Sequence, residues 1–304
     1  MRHNNPSAAN CCKPQLCGFG DQQPNQTVAG KLVNKMSKIK SPLRYPGGKS
    51  RAIKQILPQI PVNIREYREP FFGGGSVFFA VKQLFGQQIK TYWINDLNYD
   101  LYCFWQCAQE NIELLVAKIT EIKQKYDNGR ELFQDLTRED LKLTDFEKAV
   151  RFFILNRITF SGTVDSGGYS QAAFTSRFTD SSIARLTQIA PLLASVKITN
   201  QDYEELLFAE GKEVFIFLDP PYYSATKSRL YGVRGNLHTN FDHQRFADNM
   251  RQCQAKWLIT YDDCPEIRNL FNFAHIIEWN LQYGMNNYKQ GAAASGRELM
   301  IKNY

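Results

Sequence analysis

The chain has 304 residues, 43% of them hydrophobic and 22% charged, which is typical of a soluble globular protein with one large α/β domain or a core domain with an inserted module. No apolar run reaches the roughly 18 residues of a membrane-spanning helix, and the first residues lack a signal peptide, so we expect a cytoplasmic protein without a membrane partner. The 37 basic and 30 acidic residues leave a formal charge of +7, which permits a polyanionic partner without requiring one.

Residues 1–36 are rich in Asn, Gln, Pro, Gly and Ser and show no apolar periodicity, which predicts a disordered leader. Strand-like and helix-like segments alternate after it. Their predicted order is a helix over 51–57, a strand over 64–70, a glycine-rich turn, a helix over 77–85, a strand over 89–94 and a helix over 97–108. Strand, glycine turn, helix, strand and a terminal acid form the opening of a nucleotide-binding α/β sheet.

The segment 111–182 departs from this alternation. Its charged, helical sequence leads into a turn-rich stretch over 160–170, which predicts a mainly helical inserted module with a hairpin or mobile loop. A helix capped by Ser181 or Ser182 is predicted to follow over 182–193.

The sheet pattern then resumes. Predicted strands cover 196–199, 214–218, 257–261, 274–279 and 298–302. The run 214–218 is wholly apolar, as expected of a central strand that is buried on both faces. A long polar loop over 223–240 contains basic residues, among them Lys227 and Arg229.

The tetrapeptide Asp-Pro-Pro-Tyr at 219–222 follows that apolar strand directly, at the carboxyl end where open α/β sheets bind ligands. Its prolines stiffen the turn and remove two backbone donors, which leaves the Asp219 carboxylate and the Pro220 carbonyl as acceptors beside the Tyr222 ring. Such a set can accept both N–H groups of an exocyclic amine and stack on the attached base. The alternative is an ordinary proline turn.

A second motif, Glu-Pro-Phe-Phe-Gly-Gly-Gly-Ser at 69–76, places glycines after a strand, where a ligand can approach the backbone closely. It departs from the dinucleotide-binding pattern because Phe78 occupies the position of the third glycine. Asp96 ends the next strand about 20 residues later, where an acid can accept hydrogen bonds from ribose hydroxyls. Together these features indicate a bound nucleoside without a pyrophosphate.

A third motif, Gly-Gly-Lys-Ser at 47–50, suggests a phosphate-binding P-loop at first. That interpretation fails because Leu43 stands where the P-loop requires glycine and the segment before it is too polar for a buried strand. A glycine turn with Lys49 can instead meet the carboxylate of a ligand.

The motifs follow one another in a fixed order: Arg-Tyr-Pro-Gly-Gly-Lys at 44–49, Glu-Pro-Phe-Phe-Gly-Gly-Gly at 69–75, Asn-Asp at 95–96, Asn-Arg at 156–157, Asn-Gln-Asp-Tyr at 200–203 and Asp-Pro-Pro-Tyr at 219–222. As an ordered set, over roughly residues 38–304, they resemble the Dam-type DNA adenine methyltransferases. In that group the glycine motif precedes the recognition domain, and the catalytic tetrapeptide follows it. The resemblance implies S-adenosylmethionine as methyl donor, double-stranded DNA as substrate and no metal.

The resemblance also implies a fold: α/β, with a Rossmann-like S-adenosylmethionine-dependent methyltransferase sheet and an inserted, mainly helical target-recognition domain. Residues 37–110 and 183–304 would form the catalytic domain, and 111–182 the recognition domain. The stretch 160–178 does not resemble the hairpin of enzymes that methylate GATC, so the target is not predicted to be simply GATC.

Matching the family's motifs to this chain gives expected roles for individual residues. The cofactor would contact Tyr45, Lys49, Phe72, Gly73, Gly75, Asp96, Asp202 and Asp219. The target base would contact Asp219, Pro220 and Tyr222, through the ring rather than the hydroxyl of the tyrosine. Basic residues near DNA would be Arg44, Arg157, Lys227 and Arg229.

The implied chemistry is the methylation of an adenine 6-amino group whose base has been flipped out of the duplex. Accepting both amine hydrogens localises the nitrogen lone pair, so that it can attack a methyl group without a strong base. Methylation of cytosine, methylation of RNA, a binding module without catalysis and a P-loop ATPase are the competing interpretations. We expect a bacterial or phage-encoded, nucleoid-associated monomer, with or without a cognate restriction endonuclease.

Overall fold

A computed structural model describes residues 39–164, 166–224, 241–282 and 295–304. The predicted leader, Lys227 and Arg229 lie outside the described residues. The strands are β1 (Glu66–Glu69), β2 (Thr91–Asn95), β3 (Val196–Thr199), β4 (Val214–Leu218), β5 (Lys256–Asp262), β6 (His275–Gln282) and β7 (Ser295–Lys302). They form one seven-stranded sheet in the order β3-β2-β1-β4-β5-β7-β6. Strands β1 to β5 run parallel, and β7 runs antiparallel to both β5 and β6.

Helices connect the strands. The α-helices of the described ranges are α1 (Ile53–Ile56), α2 (Ser76–Phe85), α3 (Tyr99–Glu110), α4 (Ile112–Lys125), α5 (Gly129–Leu136), α6 (Asp145–Ile158), α7 (Gln171–Arg177), α8 (Asp180–Ala184), α9 (Ala190–Leu193), α10 (Tyr203–Phe208), α11 (His243–Gln252) and α12 (Pro265–Leu270). Short 3-10 helices cover Lys49–Arg51, Leu57–Gln59, Phe160–Gly162 and Arg185–Gln188. In the part of the chain that these elements cover, no helix combines the length and the apolar character needed to span a membrane.

The centre of the sheet is where its strand order reverses. Strand β1 pairs in parallel with β2 on one side and with β4 on the other, so the connections leave it in opposite directions. This reversal opens a crevice at the carboxyl ends of the central strands, as in other Rossmann-like sheets. Residues 215–218 of β4 are at most 1% exposed, which confirms the predicted central strand.

The inserted segment 111–182 is mainly helical, as predicted, and packs closely on the sheet domain. Helix α6 is buried from Ala149 onward, apart from the half-buried Arg151, and lies against α3. Core residues of α4 and α6 belong to the same hydrophobic cluster as those of β1 and β2. The stretch 160–170 folds back on itself through a bridge between Thr159 and Tyr169, next to the 3-10 helix over 160–162.

The predicted continuous helix over 182–193 is wrong. Helix α8 ends at Ala184, a 3-10 helix follows, and α9 restarts at Ala190. Pro191 explains the interruption, because it has no amide hydrogen and its ring collides with the carbonyl four residues earlier in a continuous helix. The predicted cap is also displaced: α8 begins at Asp180, where the Thr179 hydroxyl accepts from the Ser182 amide at 3.2 Å.

Candidate active site

The crevice at the carboxyl ends of the central strands contains a cavity of about 640 Å³, a size typical of small-molecule sites. Every residue predicted to contact the cofactor or the target base lines it: Tyr45, Lys49, Phe72, Gly73, Gly75, Asp96, Asp202, Asp219, Pro220 and Tyr222. These residues come from widely separated parts of the chain, and the sheet brings them together. Arg44 and Arg157 lie outside the lining.

The glycine turn between β1 and α2 forms one wall of the cavity. Gly73 and Gly75 have φ angles of 49° and 67°, in the left-handed region that favours glycine. A Cβ atom on Gly73 would lie 2.8 Å from the Tyr45 ring, and one on Gly75 would lie 2.5 Å from the Phe72 ring. Both glycines are therefore required by backbone conformation and by the aromatic rings packed against them.

Asp96 holds this glycine turn from the end of β2. Its carboxylate accepts hydrogen bonds from the Gly73 amide at 2.8 Å and from the Asn98 amide at 2.9 Å. Burial raises the pKa of Asp96 to about 6, although these two hydrogen bonds act in the opposite direction. A carboxylate has about four acceptor positions, so Asp96 keeps capacity for a ligand hydroxyl.

Asn95 ties the ends of three strands together beneath the cavity. Its side-chain amide donates to the Pro70 carbonyl at 3.1 Å and to the Gln201 carbonyl at 3.0 Å. Its oxygen accepts from the Thr199 hydroxyl at 2.8 Å. Because Asn95 is only 2% exposed, these bonds fix the relative positions of the loops after β1, β2 and β3.

Asp202 lies at the start of α10, after β3. One carboxylate oxygen caps the helix by accepting from the Glu204 amide at 3.0 Å. The other lies 3.4 Å from the Arg245 guanidinium, which also pairs with Glu204 at 2.7 Å. The acid is thus held at a helix terminus while it remains part of the cavity lining.

Asp219 is fixed by an ion pair and a hydroxyl. The Lys49 ammonium lies 2.8 Å from both carboxylate oxygens and also donates to the Gly47 carbonyl at 2.8 Å. The Thr260 hydroxyl, from β5, donates to Asp219 at 2.7 Å. Lys49 is only 4% exposed, whereas the Asp219 side chain is 21% exposed, so a buried cation pairs with a carboxylate that still faces the cavity.

Tyr222 is held at its face and at its hydroxyl. The ring packs against Tyr261 with centroids 6.0 Å apart and planes inclined by 33°, and the Lys49 ammonium lies 4.8 Å from the ring centroid. The hydroxyl donates to the Glu298 carboxylate, on β7, at 3.0 Å. Burial, together with the Asp219 and Glu298 charges, raises the pKa of Tyr222 well above its ordinary range, so the phenol stays protonated.

Thr260 and Glu298 were not predicted to belong to the site. Thr260 gives no sequence signal, because a threonine in a strand is common. Glu298 gives a weak signal. It stands next to the apolar Leu299 and Met300 in a predicted strand, and an acid in such a strand needs a partner that stabilises its charge.

Arg44 and Arg157 belong to a separate group that we call the arginine cluster: Arg44, Arg157, Arg177 and Arg185. Arg157 is 7% exposed, and burial plus the charges of the other three lowers its pKa to about 10. Its Nε atom and the Arg177 Nη1 atom are buried and have no hydrogen-bond partner among the described residues. Burying a guanidinium nitrogen without a hydrogen-bond partner is costly, so the cluster concentrates positive charge at a free-energy cost to the fold.

Asn156 connects the arginine cluster to the cavity wall. Its amide oxygen accepts from the Arg44 backbone N–H at 3.0 Å, and its amide nitrogen donates to the Arg44 carbonyl at 2.8 Å and to the Gly162 carbonyl at 3.0 Å. Helix α6 therefore holds the chain just before Tyr45, together with the 160–162 turn. Within the described ranges, no three His, Cys, Asp or Glu side chains are grouped so that they could hold a metal ion.

Comparison with known proteins agrees with this geometry. The sequence model of the D12 class N6 adenine-specific DNA methyltransferase family matches residues 45–285. The Type II methyltransferase M.MjaIII of Methanocaldococcus jannaschii is 25% identical over 294 residues, covering 88% of this chain and 99% of that protein. The Type II methyltransferase M1.LlaDCHI of Lactococcus lactis subsp. cremoris is 24% identical over 301 residues, covering 90% of this chain and 99% of that protein.

A DNA adenine methylase of Vibrio cholerae is 23% identical over 257 residues, covering 79% of this chain and 88% of that protein. The family match spans both the glycine turn and the tetrapeptide at 219–222, and both segments line the cavity. The chain belongs to the D12 class of N6 adenine-specific DNA methyltransferases and methylates adenine at specific sites in DNA.

Proposed function

We propose that the chain transfers the methyl group of S-adenosylmethionine to the 6-amino group of an adenine that has been flipped out of double-stranded DNA into the cavity. The observation that carries this proposal is the composition of the cavity. One part of its lining is the glycine turn, with nearby carboxylates that can accept hydrogen bonds from ribose hydroxyls. Another part is the tetrapeptide at 219–222, which combines hydrogen-bond acceptors with an aromatic ring.

The glycine-turn side fits the cofactor. The left-handed glycines leave space that a Cβ atom would fill, and carboxylates stand at the ends of β2 and β3. We assign Asp96 to the ribose hydroxyls and Asp202 to the adenine ring of the cofactor. Its methionine part is assigned to Phe72, Gly73 and Gly75, and Tyr45 and Lys49 are assigned as further cofactor contacts. When bound there, S-adenosylmethionine supplies a methyl group activated by a sulfonium.

The tetrapeptide side fits the target base. Lys49 and Thr260 hold the Asp219 carboxylate in place, so it can accept one amine hydrogen without a free-energy cost for reorientation. The Pro220 carbonyl is assigned to the other hydrogen, and the Tyr222 ring to the face of the base. Accepting both hydrogens localises the lone pair on nitrogen and stabilises the positive charge that develops there.

Basic residues outside the cavity are assigned to DNA. The arginine cluster groups four cations beside the segment that precedes Tyr45, with Arg185 exposed to solvent, and phosphate is the anion that DNA offers. Lys227 and Arg229 are proposed to contribute further phosphate contacts. The segment 111–182 is proposed to read the target sequence, and flipping of the base would require a few kcal/mol.

A product analysis tests the proposed function. The purified chain is incubated with labelled S-adenosylmethionine and, in separate reactions, with unmethylated plasmid DNA or with RNA, and each nucleic acid is then digested to nucleosides. We expect the label in N6-methyladenine. Label in N4-methylcytosine, or transfer only to RNA, would contradict the assignment of the acceptor. A monomeric state, a cytoplasmic location and the presence or absence of a partner endonuclease stay predictions.

A further inference from the structure

Glu298 is a buried acid whose role the proposed reaction does not explain. It lies on β7, opposite Asp262 of β5 and Trp279 of β6, and is only 1% exposed. A carboxylate in such a place is costly unless other groups stabilise its charge. The charged groups that face it are Lys49, which favours the carboxylate, and Asp219 and Asp262, which oppose it.

On the cavity side, Glu298 contacts Tyr222. The tyrosine hydroxyl donates to the Glu298 carboxylate at 3.0 Å, while the ring rests against Tyr261. A ring held only at its face can still slide or tilt. A second attachment at the hydroxyl, from a different strand, fixes its plane.

We propose that Glu298 is a positioning residue for methyl transfer: by accepting the Tyr222 hydroxyl, it fixes the ring plane on which the target adenine stacks. The inference rests on the proposed function, because it assumes that Tyr222 contacts the base. It also changes an expectation drawn from the sequence, since the hydroxyl of Tyr222 becomes as important as its ring.

A double-mutant cycle tests this role. Glu298→Leu removes the acceptor, Tyr222→Phe removes the donor, and each should lower the single-turnover rate of methyl transfer about tenfold, the effect of losing a hydrogen bond to a charged group. The KM for S-adenosylmethionine should stay within about twofold, because the cofactor side of the cavity is unchanged. The double variant should also lose about tenfold, since both changes break the same bond.

Two further variants separate positioning from simple loss of structure. Glu298→Gln keeps an acceptor for the tyrosine and should retain most of the rate at neutral pH. Tyr99→Phe is the matched control: the Tyr99 hydroxyl donates to the Asp145 carboxylate at 3.0 Å, and neither residue lines the cavity. We expect its transfer rate to stay within about twofold of the wild type.

Each outcome decides between the role and its alternatives. A hundredfold loss in the double variant would show that Glu298 acts independently of Tyr222, and a normal rate for Tyr222→Phe would show that the hydroxyl is not used; either result overturns the inference. If Glu298→Leu does not fold, Tyr222→Phe and Glu298→Gln still give the answer. Absence of transfer by the wild type on unmethylated plasmid DNA would contradict the proposed function instead.

Discussion

At the scale of single residues, the active site contains a carboxyl group that destabilises the fold. Burial, with Asp219 and Asp262 nearby, raises the pKa of Glu298 to about 7, even though Lys49 and the Tyr222 hydroxyl favour the charged form. Below the unfolded pKa, near 4.5, this carboxyl is protonated in both states and costs the fold no stability. Above that pH the unfolded state loses the proton before the folded state does, so the free energy of unfolding falls. Stability is then lost as the pH rises through about 7.

Glu298→Gln should therefore stabilise the protein at alkaline pH. Because one pKa unit corresponds to about 1.4 kcal/mol, the free energy of unfolding should rise by about 3 kcal/mol relative to the wild type at pH 8 and hardly at all at pH 4.5. Urea unfolding of both proteins across this range measures the difference. An equal effect at the two pH values would contradict the burial of an ionisable group, and the wild type serves as the control at each pH.

The residues that were predicted from the sequence are those found in contiguous motifs. Asp219, Asp96 and the glycines could be found because each follows a strand directly, and parallel strands end at one edge of a sheet. Thr260 and the weakly signalled Glu298 were missed, because their partners lie in other parts of the sheet and neither sequence segment shows that β5 pairs with β7.

At the scale of elements, one buried arginine supports the short helix that positions Asp202. Arg68, on β1, is 1% exposed and donates to the carbonyls of Leu206, Ala209 and Glu210 at 2.6 to 2.8 Å. These carbonyls lie at the end of α10, where a helix has no partners of its own. A cation is also favourable at a helix C-terminus, so Arg68 stabilises α10 twice over.

Arg68→Met should destabilise the fold by about 3 kcal/mol and weaken binding of S-adenosylmethionine, because α10 carries Asp202 at its other end. Urea unfolding and titration calorimetry measure the two effects. Arg65→Met is the matched control, three residues earlier: its side chain is 69% exposed and pairs with the exposed Glu213, so its loss should change stability by less than about 0.5 kcal/mol. Equal effects of the two changes would contradict the supporting role of Arg68.

The sequence did not predict helix α10 or the break in the helix near Pro191. The six residues of α10 are too few to show helical periodicity. The motif at 200–203 indicates a ligand contact, but it does not predict the helix that Asp202 caps. The apolar spacing over 182–193 suggested one helix and outweighed the proline within it. Strand β4 was predicted correctly, because an uninterrupted run of apolar residues is typical of a strand that is buried on both faces.

At the scale of the whole molecule, Asn156 on helix α6 joins the arginine cluster to the segment that precedes Tyr45, which lines the cavity. If the cluster binds DNA phosphates, removing an exposed member should weaken binding to all sequences alike. Arg185→Ala should reduce the slope of log affinity against log salt by about 1 and leave cofactor binding unchanged. Fluorescence anisotropy with a labelled duplex at several salt concentrations measures the slope.

Lys90→Ala is the control for this experiment. Lys90 is exposed and precedes β2, at the amino end of the strands, which is the edge opposite the cavity. Its removal changes the net charge by the same amount and should leave the salt slope unchanged. Equal reductions for Lys90 and Arg185 would mean that overall charge, rather than the arginine cluster, determines binding.

Fold class was predictable for the whole molecule, because the alternation of strands, glycine turn and helices restricts the sheet to a Rossmann-like type. The packing of the insert was not, because nothing in the segment 111–182 shows that α6 would be buried against α3 and share a core with the sheet. The domain boundary at 110 and 183 therefore stays a prediction.

The most direct test of the account is the transfer step itself. Single-turnover transfer of labelled methyl to unmethylated plasmid DNA is compared between the wild type and Asp219→Ala, with DNA and cofactor binding measured separately. Removing the acceptor should abolish transfer while DNA binding survives, because the proposed phosphate contacts lie outside the cavity and such contacts dominate affinity. Near-normal transfer by Asp219→Ala would contradict the assignment of Asp219 to the reacting amine.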